Sequence, residues 1–264
     1  MNQKIITVDA FTDKPFSGNP GAVCLLDSPM PEDMMQNIAR EMNLSETAFL
    51  YPEGDARYHL RWFTPTVEVE MCGHDTLATA HVLFTDGHLA PEATARFRTL
   101  SGELTARRDG DWIELNFPAT PAAASDTTKG LSEALGAEPG YVGMSRFDML
   151  VELDSEQTVR NLTPDIAAIG KLPARGVIVT AAATMEGYDF VSRYFAPAIG
   201  IAEDPVTGSA HCVLAPYWSE KLNKPQMVGY QASARGGTVK MTVDGDRIRL
   251  AGRAVTMMRG EMSL

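Results

Sequence analysis

Apolar and polar positions alternate through the opening residues "NQKIITVDAF", and that period of two predicts a strand over about 3–9. A second strand is expected near 21–27, a helix near 31–43 ("PEDMMQNIAREMN") and a strand near 46–52. Further on, "YHLRWF" and "YDFVSRYF" read as strands, each running through a Pro-containing loop into a helix of small and apolar residues, about 73–86 and 205–222. Helices near 128–135 and 163–170 and strands near 147–153 and 175–181 complete the pattern.

The two strand–loop–helix passages are alike. "RWFTPTVEVEMCGHDTLATA" (61–80) lies over "RYFAPAIGIAEDPVTGSAHC" (193–212), with Arg61, Phe63 and Pro65 on Arg193, Phe195 and Pro197 at an offset of 193 − 61 = 132. Further on, "GELTARRDGDWIEL" (102–115) lies over "GTVKMTVDGDRIRL" (237–250) at 237 − 102 = 135, matching the Asp109-Gly110-Asp111 and Asp244-Gly245-Asp246 turns. Asp-Gly turns are common in hairpins, but two matches in one order at nearly one offset point to an internal duplication. The expected class is α+β: two similar lobes, each a curved sheet or barrel around a central small-residue helix. The N-terminal lobe is placed at 1–117, with the last strand, about 253–264, a candidate addition to it. A Pro-, Ala- and Ser-rich linker follows at 118–130, and the C-terminal lobe at 131–252.

Composition narrows the function. The 264 residues are 44% hydrophobic and 22% charged, ordinary for a globular chain. A formal net charge of −11 argues against nucleic acid and anionic membrane surfaces, both of which need a basic footprint. Cys24, Cys72 and Cys212 are too few and too scattered for a disulfide framework. No apolar run approaches membrane-helix length and no signal segment opens the sequence, so a reducing cytoplasm is the expected compartment.

The repeated loop offers chemistry. In "AEDPVTGSAH" (202–211), Asp204 reads as the cap of a helix beginning at Pro205, with Thr207, Gly208 and Ser209 presenting backbone N–H groups with little bulk in the way. Such a helix start suits a carboxylate or phosphate. In the first copy Cys72 takes the slot of Asp204, and Gly73, His74, Asp75 and Thr76 open the helix. Were both starts to face one cleft, a small anion would be held by backbone donors beside two proton-handling groups.

These residues also carry a family likeness. "DAFTDKPFSGNPGAV" (9–23), "IAREMNLSETAFL" (38–50), "RWFTPTVEVEMCGHDTLATAH" (61–81), "SRYFAPAIGIAEDPVTGSAH" (192–211) and "GRAV" (252–255) together resemble the phenazine-biosynthesis PhzF-like family, related in fold to diaminopimelate epimerase. The resemblance implies two similar lobes and isomerisation of a small carboxylated molecule by proton transfer, with no metal or organic cofactor. It assigns the acid/base carboxylate to Glu46, the other polar positions to His74, Asp204 and Ser209, and the backbone ligand site to Gly73 and Gly208. Asn19 is a candidate ligand contact, with Cys72 and Thr207 beside it as candidate substrate-binding residues. A homodimer is a family-level expectation. The epimerase relatives carry a thiol at the position of Cys72 and a second one opposite; here the opposite slot was assigned to Asp204, which leaves no two-thiol mechanism. Glu46 stands where a helix gives way to a strand, and moving a proton between carbons near neutral pH calls for a carboxyl with a raised pKa.

Two other classes draw on the same residues. A metal-dependent hydrolase would use Cys72, His74, Asp75, His211 and Cys212, but their spacing fits no standard metal motif and adjacent helical ligands diverge. A non-catalytic binding or scaffolding protein would keep the fold without the reaction, and the complete set of Glu46, His74, Asp204 and Ser209 speaks against decay of that kind. No Gly-x-Gly-x-x-Gly or Gly-Lys-Ser/Thr loop suggests a nucleotide.

Overall fold

The computed structural model describes residues 2–126 and 129–264. The chain divides into two compact units, one of residues 1–116 with 251–264 and one of Phe117–Leu250. The architecture is α+β, and the two units repeat one plan.

The first unit runs β1 (Asn2–Ala10), β2 (Asn19–Leu25), α1 (Glu32–Met42), β3 (Thr47–Gly54), β4 (Arg57–Phe63), β5 (Glu68–Val69), α2 (Gly73–Thr85), β6 (Thr94–Thr99), β7 (Gly102–Asp109) and β8 (Trp112–Pro118). β2 and β3 are parallel; β4 lies antiparallel to β3 and β5 and parallel to β6. Helix α1 is two-faced: Met35, Ile38 and Ala39 are buried, and Asn43 closes it in the left-handed conformation. Helix α2 is different. Eleven of its 13 residues are buried, so it has no solvent face and packs on β1, β2, β3 and β7. Gly73, Ala78 and Ala80 let those strands come close.

The second unit contains β9 (Ala123–Ala124), α3 (Leu131–Leu135), β10 (Tyr141–Met144), β11 (Asp148–Glu152), α4 (Glu156–Asn161), α5 (Ile166–Ile169), β12 (Gly176–Ala182), β13 (Phe190–Ala196), β14 (Ile201–Asp204), α6 (Gly208–Leu222), β15 (Gln226–Gln231), β16 (Gly237–Asp244) and β17 (Arg247–Gly252). β11 and β12 are parallel; β13 lies antiparallel to β12 and β14 and parallel to β15, the pattern of the first unit strand for strand. The last strand, β18 (Ala254–Ser263), pairs antiparallel with β1, with a bulge between Thr7 and Val8. No helix among the described residues is long and apolar enough to cross a membrane.

One pair of interactions shows the duplication in side chains. Arg61 forks onto Glu68 and lies 5.0 Å over the Phe63 ring; Arg193 forks onto Glu203 and lies 4.9 Å over Phe195. The arginines are 193 − 61 = 132 apart but the glutamates 203 − 68 = 135, so three residues enter the second copy between them. A 3-10 turn at Pro197–Ile199, closed by Gly200 at φ 87, takes up the extra length. From there the offset stays 135, as in the Asp-Gly-Asp hairpins.

That insertion corrects two expectations, and the structure adjusts two more. The second small-residue helix begins at Gly208, not Pro205, and its N-cap is Thr207, so Asp204 ends a strand and caps no helix. The residue that matches Cys72 is therefore Thr207 rather than Asp204, since 207 − 72 = 135. The helices expected near 128–135 and 163–170 shrink to Leu131–Leu135 and Ile166–Ile169. The stretch 118–130 is more than a linker: Ala123 and Ala124 pair with Met144 and Gly143, and the N–H groups of Ala119 and Thr120 donate to the carbonyls of Asp246 and Cys212. Residues 127 and 128 of it lie outside the described residues.

Candidate active site

In the first unit the site grows from the start of α2. Cys72 is its N-cap in extended conformation, and the Thr76 hydroxyl donates back to the Cys72 carbonyl. The amides of Gly73 and His74 have no hydrogen-bond partner among the described residues, as the first turn of a helix dictates. Two other segments, β2 and the residue before β3, and the helix itself bring side chains onto His74. Asn19, first residue of β2, is fully buried and its Nδ2 donates to His74 Nδ1 at 3.1 Å. Glu46, directly before β3 and 9% exposed, sets its Oε2 3.4 Å from His74 Nε2. Asp75 Oδ1 lies 3.6 Å from the same nitrogen, in space that Gly21 leaves open: a Cβ at Gly21 would stand 1.7 Å from that oxygen. Cys72 Sγ is 3.5 Å from His74 Nδ1.

Burial pushes the His74 pKa down to about 3, so the ring is neutral near pH 7. With Nδ1 accepting from Asn19, the single ring proton sits on Nε2 and faces Glu46. Asn19, a candidate ligand contact, thus also sets the tautomer of His74. The same bond bears on metals. Ligand atoms of Glu46, Cys72 and His74 lie within 4.8 Å of one another, yet Nδ1 is engaged and Nε2 carries the proton, so the imidazole has no lone pair to give unless the Asn19 bond breaks. In the wider metal set, burial pushes the Cys212 thiol up to about 12, away from the thiolate a metal needs.

In the second unit the predicted residues gather before and within the first turn of α6. The Thr207 hydroxyl donates to Asp204 Oδ2 at 2.5 Å. Gln231, carried in by β15, fastens this turn: its Oε1 accepts from Thr207 N at 2.8 Å, and its Nε2 donates to the Asp204 carbonyl at 2.7 Å and to Thr207 Oγ1 at 3.1 Å. Gly208, Ser209 and Ala210 present amides with no partner among the described residues. Ser209 Oγ accepts from Arg175 Nη2 at 3.3 Å. Gln231 and Arg175 carry no mark of a site residue in the sequence, and Asp75 is marked there only as a helix-opening residue and a candidate metal ligand. Gln231 and Arg175 reach the turn from 24 and 34 residues away, and no local spacing announces them.

A family model described as "Phenazine biosynthesis-like protein" (PhzC-PhzF) matches residues 8–260. The chain belongs to this family. It is 51% identical, over the full length of both chains, to an uncharacterized isomerase of Halalkalibacterium halodurans. A crystal structure of a PhzF-family phenazine biosynthesis protein from Enterococcus faecalis superposes with a TM-score of 0.94 at 43% identity, covering 100% of each chain. A hydroxyproline epimerase from Agrobacterium vitis shares the fold at a TM-score of 0.65 and 14% identity, covering 100% of this chain and 93% of its own. As a member of this family with relatives named isomerases, the chain is an isomerase.

Proposed function

We propose that this isomerase moves a proton on a small carboxylate-bearing substrate without metal or organic cofactor, and that Glu46 carries the proton. The observation behind this reading is the buried approach of Glu46 to a neutral, Nε2-protonated His74 at the start of α2. Glu46 acts first as base, taking a proton from carbon, then as acid, returning it to another position or face. The negative charge that develops on the substrate is met by donors already in place, the His74 Nε2–H and the free amides of the first turn, and such preorganised donors are the usual main source of rate enhancement. Asp204, Thr207, Gly208 and Ser209 supply further polar contacts to the substrate. The three buried cysteines form no disulfide, which supports a reducing, cytoplasmic setting.

The test is turnover in deuterated water of a panel of small amino, hydroxy and unsaturated acids, read by mass spectrometry. Deuterium enters a carbon of the accepted substrate, and Glu46→Gln abolishes the exchange while the protein stays folded. Full exchange in Glu46→Gln overturns the assignment.

A further inference from the structure

Equivalent sheet positions of the two units have exchanged their acid. In the first unit Gly21 and Glu46 sit one step before the paired residues Ala22 and Thr47; in the second unit the same two positions, one step before Met149 and Val177, are Asp148 and Gly176. The pairing of Thr47 with Phe63 and of Val177 with Phe195 fixes the equivalence. At the slot of Glu46 the second unit therefore has no side chain, and Tyr194 fills the space: a Cβ on Gly176 would lie 2.5 Å from its hydroxyl oxygen. At the slot of Gly21 it has a buried carboxylate.

That carboxylate holds a cation. Arg175 Nε donates to Asp148 Oδ1 at 2.9 Å and Nη2 to Oδ2 at 2.5 Å, and the Tyr194 hydroxyl donates to Oδ1 at 2.9 Å. The guanidinium also lies 5.0 Å over the Phe147 ring. A bidentate fork with a stacked face fixes the plane of the guanidinium. From this mount Nη2 donates to Ser209 Oγ.

The bond has a consequence for Ser209. A hydroxyl that accepts from a cation is a stronger donor of its own proton, and that proton is directed away from the arginine. The Ser209 hydroxyl makes no other hydrogen bond among the described residues; unlike Thr76, it does not donate back into its own helix. Its proton has no acceptor among the described residues, and the three amides beside it have none either.

We infer that Arg175, mounted on Asp148 and Tyr194, is a positioning residue that holds the Ser209 hydroxyl as a donor to a carboxylate of the substrate. The inference rests on the proposed reaction only for the identity of the acceptor, a carboxylate. It divides the labour of the two copies: one keeps the proton-carrying acid, and the other has turned its acid inward to orient a neutral donor.

The experiment is a double-mutant cycle on binding of malonate, a dicarboxylate probe, followed through the amide resonances of Gly208 and Ser209 in 15N-labelled protein. The wild type gives a saturable shift. Arg175→Lys, which keeps a cation beside Asp148 but loses the fork, and Ser209→Ala each weaken binding about tenfold. Combined, they weaken it no further than Ser209→Ala alone, because one acts through the other. Tyr194→Phe, which leaves every charge in place, weakens binding roughly threefold. The inference is overturned if malonate leaves Gly208 and Ser209 unmoved, if Arg175→Lys binds as the wild type does, or if the two losses multiply. Glu46 enters neither arm of the cycle; should Glu46→Gln keep full proton exchange, the assignment of Glu46 fails while the role of Arg175 stands.

Discussion

The Asn19 amide donates to Nδ1 of His74 across 3.1 Å, and that single bond decides whether the nitrogen facing Glu46 carries the ring proton. Replacing the donor by an acceptor reverses the decision. In Asn19→Asp the new carboxylate draws the ring proton to Nδ1, and Nε2 presents a lone pair to Glu46. The expected result is a loss of about a hundredfold in kcat, with 15N shifts of His74 reporting the exchanged tautomer. An unchanged kcat in a variant with the exchanged tautomer would remove His74 from the mechanism. Asn19→Ala leaves a buried ring nitrogen without its partner and costs about 1–3 kcal/mol of stability by urea denaturation.

Gly21 is held to glycine by the carboxylate opposite it. In Gly21→Ala the added methyl would fall 1.7 Å from Asp75 Oδ1, and neither the strand nor the fully buried helix side chain has room to yield. The expected loss is about 1–3 kcal/mol, with α2 displaced at its start and proton exchange reduced. Thermal melting and the exchange assay check both. Gly87→Ala, at a turn glycine with open space around its Cα, is the comparison for backbone strain alone.

Acid destabilises the fold in two steps. His74 and His211 have an ordinary pKa of 6.5, and burial lowers them to about 3 and about 4. Between 6.5 and those values the unfolded chain binds more protons than the folded one, so stability falls as pH drops through that window. Glu156 adds a second decline. Burial pushes its carboxyl up, but hydrogen bonds from the Thr184 hydroxyl and N–H, the Arg160 guanidinium and the Met185 N–H outweigh it and hold the group at about 2, against 4.5. Its contribution is complete above 4.5 and is lost as pH falls toward 2. Urea midpoints measured against pH follow both steps. Glu156→Gln lowers stability at pH 7 and flattens the lower step; His211→Asn flattens part of the upper one. An unaltered slope in either variant refutes the corresponding assignment.

Much of the plan was legible because the duplication preserved whole words: Arg61-x-Phe63 against Arg193-x-Phe195, and the two Asp-Gly-Asp turns. The slip of three residues was hidden because those words flank it, and Pro205 after an acid imitates a helix start. Only the placement of Glu203 against Arg193 locates the insertion. Asn19, Glu46, Cys72, Gly73 and His74 converge in one unit, and Asp204, Thr207, Gly208 and Ser209 in the other. Arg175 and Gln231 were illegible for a different reason. Sheet pairing brings them from distant sequence, and each would pass for an ordinary surface or strand residue in its own neighbourhood. Ala123 and Ala124 pair through backbone alone, which no side-chain pattern can advertise.

Strand β18 lies along β1 from Ala10–Ala254 to Asn2–Ser263. The ribosome makes β1 before and β18 after everything in Phe117–Leu250, so the unit begun first must wait for β18, while Phe117–Leu250 is contiguous and can mature earlier. Birth order and completion order are thereby reversed, and a chain cut after residue 252 would keep every strand of Phe117–Leu250 while leaving the flank of β1 uncovered.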